Sequence, residues 1–185
     1  PFNWRGWWDY GTGALGDMGC HIMDAAFYAL DLRYPTAVEA VSSPVNKESA
    51  PAWSVVTYEF PARGDMPPVR VRWFDGGKMM PWPKDLEPER SLPDGSGQII
   101  IGENGSIMAG TYGGSPRIIP EARMQEVDLP DPWIPRVGTI HEDWIQACKG
   151  GEPACSNFDY SGPLTEMVLL GNLAIRMKDK NVVLE

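Results

Sequence analysis

The sequence predicts an α+β fold with a mostly antiparallel sheet. One helix-like segment near the start is followed by a series of short β-branched and aromatic runs, and two helix-like segments close the chain. This order differs from the alternation of strands and helices that builds a parallel sheet. The pair Asn104-Gly105 lies between two apolar runs, which is a strong hairpin signal, and a hairpin pairs its strands antiparallel.

The first predicted helix covers residues 17–32, a stretch with a single glycine and no proline. On a helix of about 3.6 residues per turn, four polar side chains fall within about 60° of one another. We call this group the polar stripe; it consists of Asp17, His21, Asp24 and Tyr28. Nearly all other positions are apolar or small, so we expect the rest of the helix surface to be buried.

Six strands are predicted after this helix, each a short run bordered by glycine or proline. Their ranges are Ala37 to Val41, Trp53 to Phe60, Val69 to Phe74, Gln98 to Ile101, Ser106 to Ala109 and Met124 to Leu129. The proline-rich stretch 75–96 is too long for a simple connection, so we expect it to pack on the domain.

Two helices are predicted near the end of the chain. The sequence Thr139-Ile140-His141-Glu142 fits a capping box, which marks the start of a helix that ends at Gly150-Gly151. The last helix is predicted to begin with Pro163 at its first position and to run to about Lys178.

Charge and composition exclude several classes of protein. Lys and Arg total 16 against 25 for Asp and Glu, a net charge of −9, so a nucleic acid or an anionic membrane is not expected as a partner. The longest apolar run, residues 25–30, is far shorter than the roughly 20 residues of a membrane span. Three scattered cysteines form neither a disulfide framework nor a zinc pattern, which favours a cytoplasmic location.

The length suits a single domain, 1–185. The chain begins at Pro1 without an initiator methionine, and a glycine-rich stretch leads into a helix soon afterwards. We therefore expect a fragment of a longer protein, whose missing N-terminus leaves export open.

Residues 11–16 satisfy the pattern G-x-G-x-x-G before a helix, which suggests a dinucleotide site. The context argues against it, because residues 1–10 contain no Val, Ile or Leu with which to form a buried strand. The carboxylate of Asp17 would also repel a pyrophosphate. We expect these glycines instead to let the chain turn tightly and approach a ligand or neighbouring backbone closely.

His21 is the candidate for chemistry. An imidazole has an ordinary pKa near neutrality, and carboxylates one turn away on either side suit it to proton transfer. One carboxylate can fix the tautomer of the ring and the other can accept hydrogen bonds from substrate hydroxyls. Two alternatives stay open: a structural role, with Asp17 as a helix cap and His21 in the core, and a metal site built from the same three side chains.

Aromatic residues crowd the segment before the helix. Such density is typical of core packing, but indole and phenol rings beside charged side chains also suit the rim of a sugar-binding site. We include Arg5 and Tyr10 with Asp24 as candidate substrate-binding residues. The segment comprises Trp4, Arg5, Trp7, Trp8, Asp9 and Tyr10.

The pattern D-x-G-x-H-x-x-D at residues 17–24 resembles the signature of the substrate domain of the Gfo/Idh/MocA oxidoreductases. Further resemblance lies in Asn3-Trp4-Arg5, in residues 73–77 and in residues 101–105. The resemblance implies an open antiparallel sheet with helices on one face, which serves homo-oligomerisation. It also implies an N-terminal Rossmann domain, absent from this chain, that binds NAD or NADP and carries a catalytic lysine.

By the same resemblance, His21 takes the hydroxyl proton as hydride leaves the carbon, Asp17 assists it, and Asp24 holds a neighbouring hydroxyl. The implied function is substrate binding in an NAD(P)-dependent oxidoreductase that acts on a sugar, polyol or related hydroxy compound. The alternatives are an NAD-dependent glycosidase of the same superfamily and a non-catalytic carbohydrate-binding or assembly module. We assign no residue to a cofactor or metal and expect the fragment alone to be inactive.

Overall fold

The computed structural model describes residues 2–92 and 95–178. In these residues a short 3-10 helix, Phe2–Gly6, precedes five α-helices and six strands. The helices are α1 (Gly13–Ile22), α2 (Asp24–Ala29), α3 (Glu121–Glu126), α4 (Ile140–Cys148) and α5 (Phe158–Met177). The strands are β1 (Ala37–Ser42), β2 (Ser54–Phe60), β3 (Val69–Phe74), β4 (Gly97–Gly102), β5 (Gly105–Gly110) and β6 (Arg117–Ile119).

The strands form two open sheets of three strands each, in the orders β1-β2-β3 and β4-β5-β6. Every strand pairing in them is antiparallel. The predicted α+β class with an open antiparallel sheet and helices is confirmed, with the strands divided between two sheets. None of the helices in the described ranges is long and apolar enough to cross a bilayer.

The predicted hairpin joins β4 to β5. Gly102 pairs with Gly105, so the two connecting residues are Glu103 and Asn104. The predicted strand from Met124 to Leu129 is wrong, because α3 occupies its first residues. The carbonyl of Pro120 accepts the amides of Arg123 and Met124 at 3.0 and 3.3 Å, and this local helical bonding prevails over the β-propensity of the segment.

The first helix begins at Gly13, four residues before the predicted start, and it is interrupted at Met23. The amide of Met23 still donates to the Gly19 carbonyl at 2.9 Å, and the amide of Phe27 donates to the Met23 carbonyl at 2.8 Å. Helical hydrogen bonding therefore continues across the break between α1 and α2.

The last helix begins five residues before the predicted start. The side chain of Asn157 accepts the Asp159 amide at 2.9 Å and caps α5, so Pro163 lies inside the helix. The capping box of α4 is confirmed, since Thr139 and Glu142 cap each other's backbone amides at 3.2 and 2.8 Å. No residue of α4 is buried.

The main core lies between the first sheet and the helices α1, α2 and α5. Alternate residues of β2 are buried, as expected for a strand with one covered face. Among the most buried side chains are Leu15, Phe27, Val56, Tyr58 and Val168.

A smaller core lies against the second sheet. The long stretch between β3 and β4 contributes Leu86, which packs with Met108 and Ile119. The expectation that this stretch packs on the domain is confirmed, although its Pro93 lies outside the described residues.

Two glycines allow α1 and α5 to approach each other closely. A Cβ on Gly19 would lie 3.0 Å from Val168, and a Cβ on Gly171 would lie 2.7 Å from Leu15 and would collide with the hydroxyl of Tyr58. That hydroxyl is buried without a hydrogen-bond partner among the described residues. The contact leaves no room for a side chain on Gly171.

We expect Gly171→Ala to lower the free energy of unfolding by about 1–3 kcal/mol, because it overfills this contact. Tyr58→Phe removes the atom that the new Cβ would meet, so the same substitution should cost less in a Tyr58→Phe background. Urea unfolding of the four proteins of this cycle measures both effects.

Gly162→Ala is the matched control, since Gly162 is exposed on the same helix and an added Cβ there would meet nothing within 4 Å. Because Gly162 precedes Pro163, the helical preference of alanine is offset by its clash with the proline ring, so the change in stability should stay within about 1 kcal/mol. An equal effect of Gly171→Ala and Gly162→Ala would contradict the close-approach explanation.

Candidate functional site

The polar stripe runs along α1 and α2, and a different part of the fold contacts each of Asp17, His21 and Asp24. Asp17 is half-buried and His21 is exposed, both on α1. Asp24 begins α2 and is half-buried. The helical spacing predicted from the sequence is therefore present, with its centre open to solvent.

Arg5 of the 3-10 helix holds Asp17. Its guanidinium donates a hydrogen bond to the Asp17 carboxylate and forms an ion pair with it. The interpretation of Asp17 as a helix cap is wrong, because Thr12 occupies the cap position of α1 and Asp17 lies beyond the first turn. The ion pair therefore restrains the Asp17 carboxylate next to the 3-10 helix.

His21 contacts Tyr112 in the turn that follows β5. The two rings meet edge to face, with centroids 5.5 Å apart and planes at 75°. The alternative of a buried core histidine is wrong, since His21 is exposed. Tyr112 is itself 76% exposed, so the pair lies at the protein surface, where a small molecule can reach the imidazole.

Tyr160 near the start of α5 holds Asp24. Its hydroxyl donates to Oδ1 of Asp24 at 2.5 Å, and its ring lies 6.2 Å from that of Tyr28. Burial, together with the hydrogen bond to Asp24 and the negative charge of that carboxylate, raises the pKa of the Tyr160 phenol above its ordinary value of 10.0. Tyr160 therefore remains a hydrogen-bond donor to Asp24 at neutral pH.

The glycine-rich stretch does not have the geometry of a dinucleotide site. A 3-10 helix precedes it where a buried strand is needed. Added Cβ atoms at Gly11 and Gly16 would collide with the Arg5 backbone and the Thr12 side chain. Of the expected close approaches, that of Gly11 to neighbouring backbone is confirmed.

The N-terminal aromatic segment divides between core and surface. Trp8 is buried, and its indole N–H donates to the Asn46 carbonyl at 3.1 Å. Trp4, Trp7 and Tyr10 are exposed around an open cleft. Of the two candidate substrate-binding residues in this segment, Arg5 contacts Asp17, whereas Tyr10 lines this cleft.

Cys20 lies beside the polar stripe. Burial raises the pKa of its thiol, and the Asp24 charge adds to this, against the opposing hydrogen bond from Thr165. The thiol is therefore a packed side chain rather than an activated nucleophile. Within residues 2–92 and 95–178, no three His, Cys, Asp or Glu side chains group so that they could hold a metal ion.

A comparison with known families finds a match to the first part of the chain. The sequence model of the Gfo/Idh/MocA family described as "Oxidoreductase family, C-terminal alpha/beta domain" matches residues 2–66. The predicted resemblance is confirmed. The matched segment extends from the 3-10 helix past β2 and contains Arg5, Tyr10 and the whole polar stripe. A comparison with curated proteins gives no match.

The sequence motifs did not reveal two residues at this candidate site, Tyr112 and Tyr160. Tyr160 and Asp24 lie 136 positions apart in the chain, and no local pattern links residues at that separation. The predicted start of α5 at Pro163 also left Tyr160 outside the helix that positions it.

Alkaline unfolding tests the contact between Tyr160 and Asp24. Above pH 10 the tyrosine ionises in the unfolded chain while the folded protein retains its proton, so stability falls as pH rises. Tyr160→Phe should therefore make this decline shallower, as measured by urea unfolding across the alkaline range.

Tyr34→Phe, at an exposed tyrosine, is the control for that measurement. Any contribution from buried Tyr58 is common to all the proteins compared. Identical slopes for Tyr160→Phe and Tyr34→Phe would count against the contact.

Proposed function

We propose that this domain binds the substrate of an NAD- or NADP-dependent oxidoreductase that acts on a sugar, polyol or related hydroxy compound. The observation that carries the proposal is the exposure of His21 between two carboxylates, each held by its own partner. The family match supports it, because the matched segment contains all three residues.

In this proposal the imidazole of His21 accepts the proton of the substrate hydroxyl that is oxidised. Asp17 lies one helical turn from His21 and is restrained by Arg5. It assists by stabilising the imidazolium that forms. A bound nicotinamide cofactor would accept the hydride that leaves the same carbon. We assign its binding to another part of the complete protein, since the glycines of residues 11–16 do not fit it.

Asp24 has the role of holding a second hydroxyl of the substrate. Tyr160 donates to Oδ1, and no other donor among the described residues contacts Asp24. Its Oδ2 can therefore accept a hydrogen bond from a hydroxyl next to the reacting one. Two such hydroxyls are the feature that sugars and polyols share.

His21→Ala in the complete protein should lower turnover by about 10²- to 10⁴-fold, the effect of losing a general acid or base. The fold should be unaffected because the side chain is exposed. Steady-state kinetics and a thermal melt test the two parts of this prediction.

His141→Ala is the matched control, since His141 is an exposed histidine on α4. Equal losses of turnover for the two variants, or a loss of folded protein for His21→Ala alone, would refute the role of His21. Upstream coding sequence gives a second test, in which a strand followed by G-x-G-x-x-G and a lysine supports the enzyme and their absence opposes it.

We also propose that the first sheet forms a homo-oligomer through its face opposite α5. On that face Val41 pairs with Val55, and Val55 with Phe74, which makes a continuous apolar row across all three strands. Val41 is 64% exposed. The covering of such a row by a second copy would remove it from water.

The domain should therefore sediment as a dimer or larger, and Val41→Glu should shift it toward the monomer. Leu129→Glu, at a residue 66% exposed outside the sheet, should leave the distribution unchanged. A wild-type monomer at high concentration in sedimentation velocity would rule out the assembly.

A further inference from the structure

An open cleft of about 600 Å³ lies between the N-terminal aromatic segment and the turn after β1. Three aromatic side chains line it, namely Trp4, Trp7 and Tyr10, with exposed fractions of 57%, 45% and 70%. Exposure on this scale distinguishes them from their neighbour Trp8, which is buried in the core. Packing within the described residues therefore does not account for these three side chains.

Backbone hydrogen bonds fix the two walls of the cleft to each other. The amide of Trp8 donates to the Glu48 carbonyl at 2.9 Å, and the amide of Ala50 donates to the Gly6 carbonyl at 2.8 Å. The buried indole of Trp8 adds a third link to the Asn46 carbonyl. The aromatic side chains are thus presented from a support that is already ordered, which lowers the entropic cost of binding a ligand.

The turn that carries the second wall is itself braced. The side-chain carbonyl of Asn46 accepts the amides of Glu48 and Ser49 at 2.8 and 2.7 Å. Trp7 and Ser49 also form an isolated antiparallel bridge. These main-chain contacts do not depend on the indole of Trp7. Removal of that side chain should therefore leave the turn bonded to the N-terminal segment.

Polar groups of both signs surround the aromatic rings. The cleft is also lined by Asn3, Asp9, Lys47 and Glu48, which give one positive and two negative formal charges. The whole chain also carries a net charge of −9. An anionic ligand is therefore disfavoured both by the charges that line the cleft and by the charge of the whole chain. The remaining surface combines flat apolar rings with hydrogen-bonding groups at the edge.

A neutral pyranose ring has the matching chemistry. Its C–H groups form an apolar face that can lie on an indole or phenol ring, and its hydroxyls point outward to hydrogen-bonding side chains. A cation could also lie over these rings, but Lys47 already places a positive charge in the cleft. The polar groups of both signs favour the neutral, hydroxyl-rich ligand.

We propose that this cleft binds a neutral pyranose ring, at a position separate from Asp17, His21 and Asp24. Among the described residues, the lining of the cleft includes none of these three. The proposal goes beyond the proposed function, since it adds a saccharide-binding position that takes no part in proton transfer. It assigns Tyr10 to this second position.

Ligand-observed NMR with the 185-residue chain tests the proposal, using methyl β-glucopyranoside and cellobiose as probes. We expect dissociation constants on the order of 1 mM. Trp4→Ala and Trp7→Ala should each weaken binding by about tenfold or more, since each removes a stacking face.

Trp133→Ala is the matched control, because Trp133 is 79% exposed and lies outside the cleft. It should bind both glycosides as the parent chain does. Thermal melts of all three variants establish that each is folded before binding is compared. Removal of exposed indoles should leave the melting temperatures close to that of the parent.

Four results would overturn the proposal: no binding of either glycoside at about 0.1 M, equal weakening by Trp133→Ala, equal binding of methyl glucuronide, or tighter binding of tetramethylammonium. The two proposals therefore fail independently, because turnover tests His21 and glycoside binding by the Trp4 and Trp7 variants tests the cleft.

Discussion

The position of the candidate site depends on how closely α1 approaches α5. Gly19 and Gly171 bring the two helices together, and Leu15, Val168 and Tyr58 fill the space around them. Since protein interiors pack about as densely as organic crystals, one added methyl group at such a contact must displace its neighbours. The packing of this contact fixes the rotation of α1 about its axis. That rotation determines the direction in which His21 faces.

The D-x-G-x-H-x-x-D segment therefore combines two kinds of residue. Gly19 faces α5 and has a packing role, whereas Asp17, His21 and Asp24 are partly or fully open to solvent. Asp17 and Asp24 are each restrained by a side chain from another element, Arg5 and Tyr160. His21 therefore lies between two restrained carboxylates before a ligand arrives, and the proposed proton transfer would use this arrangement.

Local patterns were predicted well and long-range contacts were not. The capping box joins Thr139 to Glu142 only three positions away, and the hairpin around Asn104 is equally local, so both could be recognised from the sequence. The start of α5 was missed because Asn157 supplies a cap that outweighs the proline signal at Pro163. The spacing of the polar stripe followed from helical periodicity, but its partners come from distant segments that the fold alone brings together.

The helix α4 contributes differently to the domain. It has nine residues, none of them buried, so the hydrophobic effect that holds α1 against α5 contributes little to it. Helices of this length are marginal in water on their own, and the capping box offsets only part of that cost. We therefore expect α4 to have low local stability. Its transient opening would expose its amides to hydrogen exchange and its backbone to proteases while the rest of the domain stays folded.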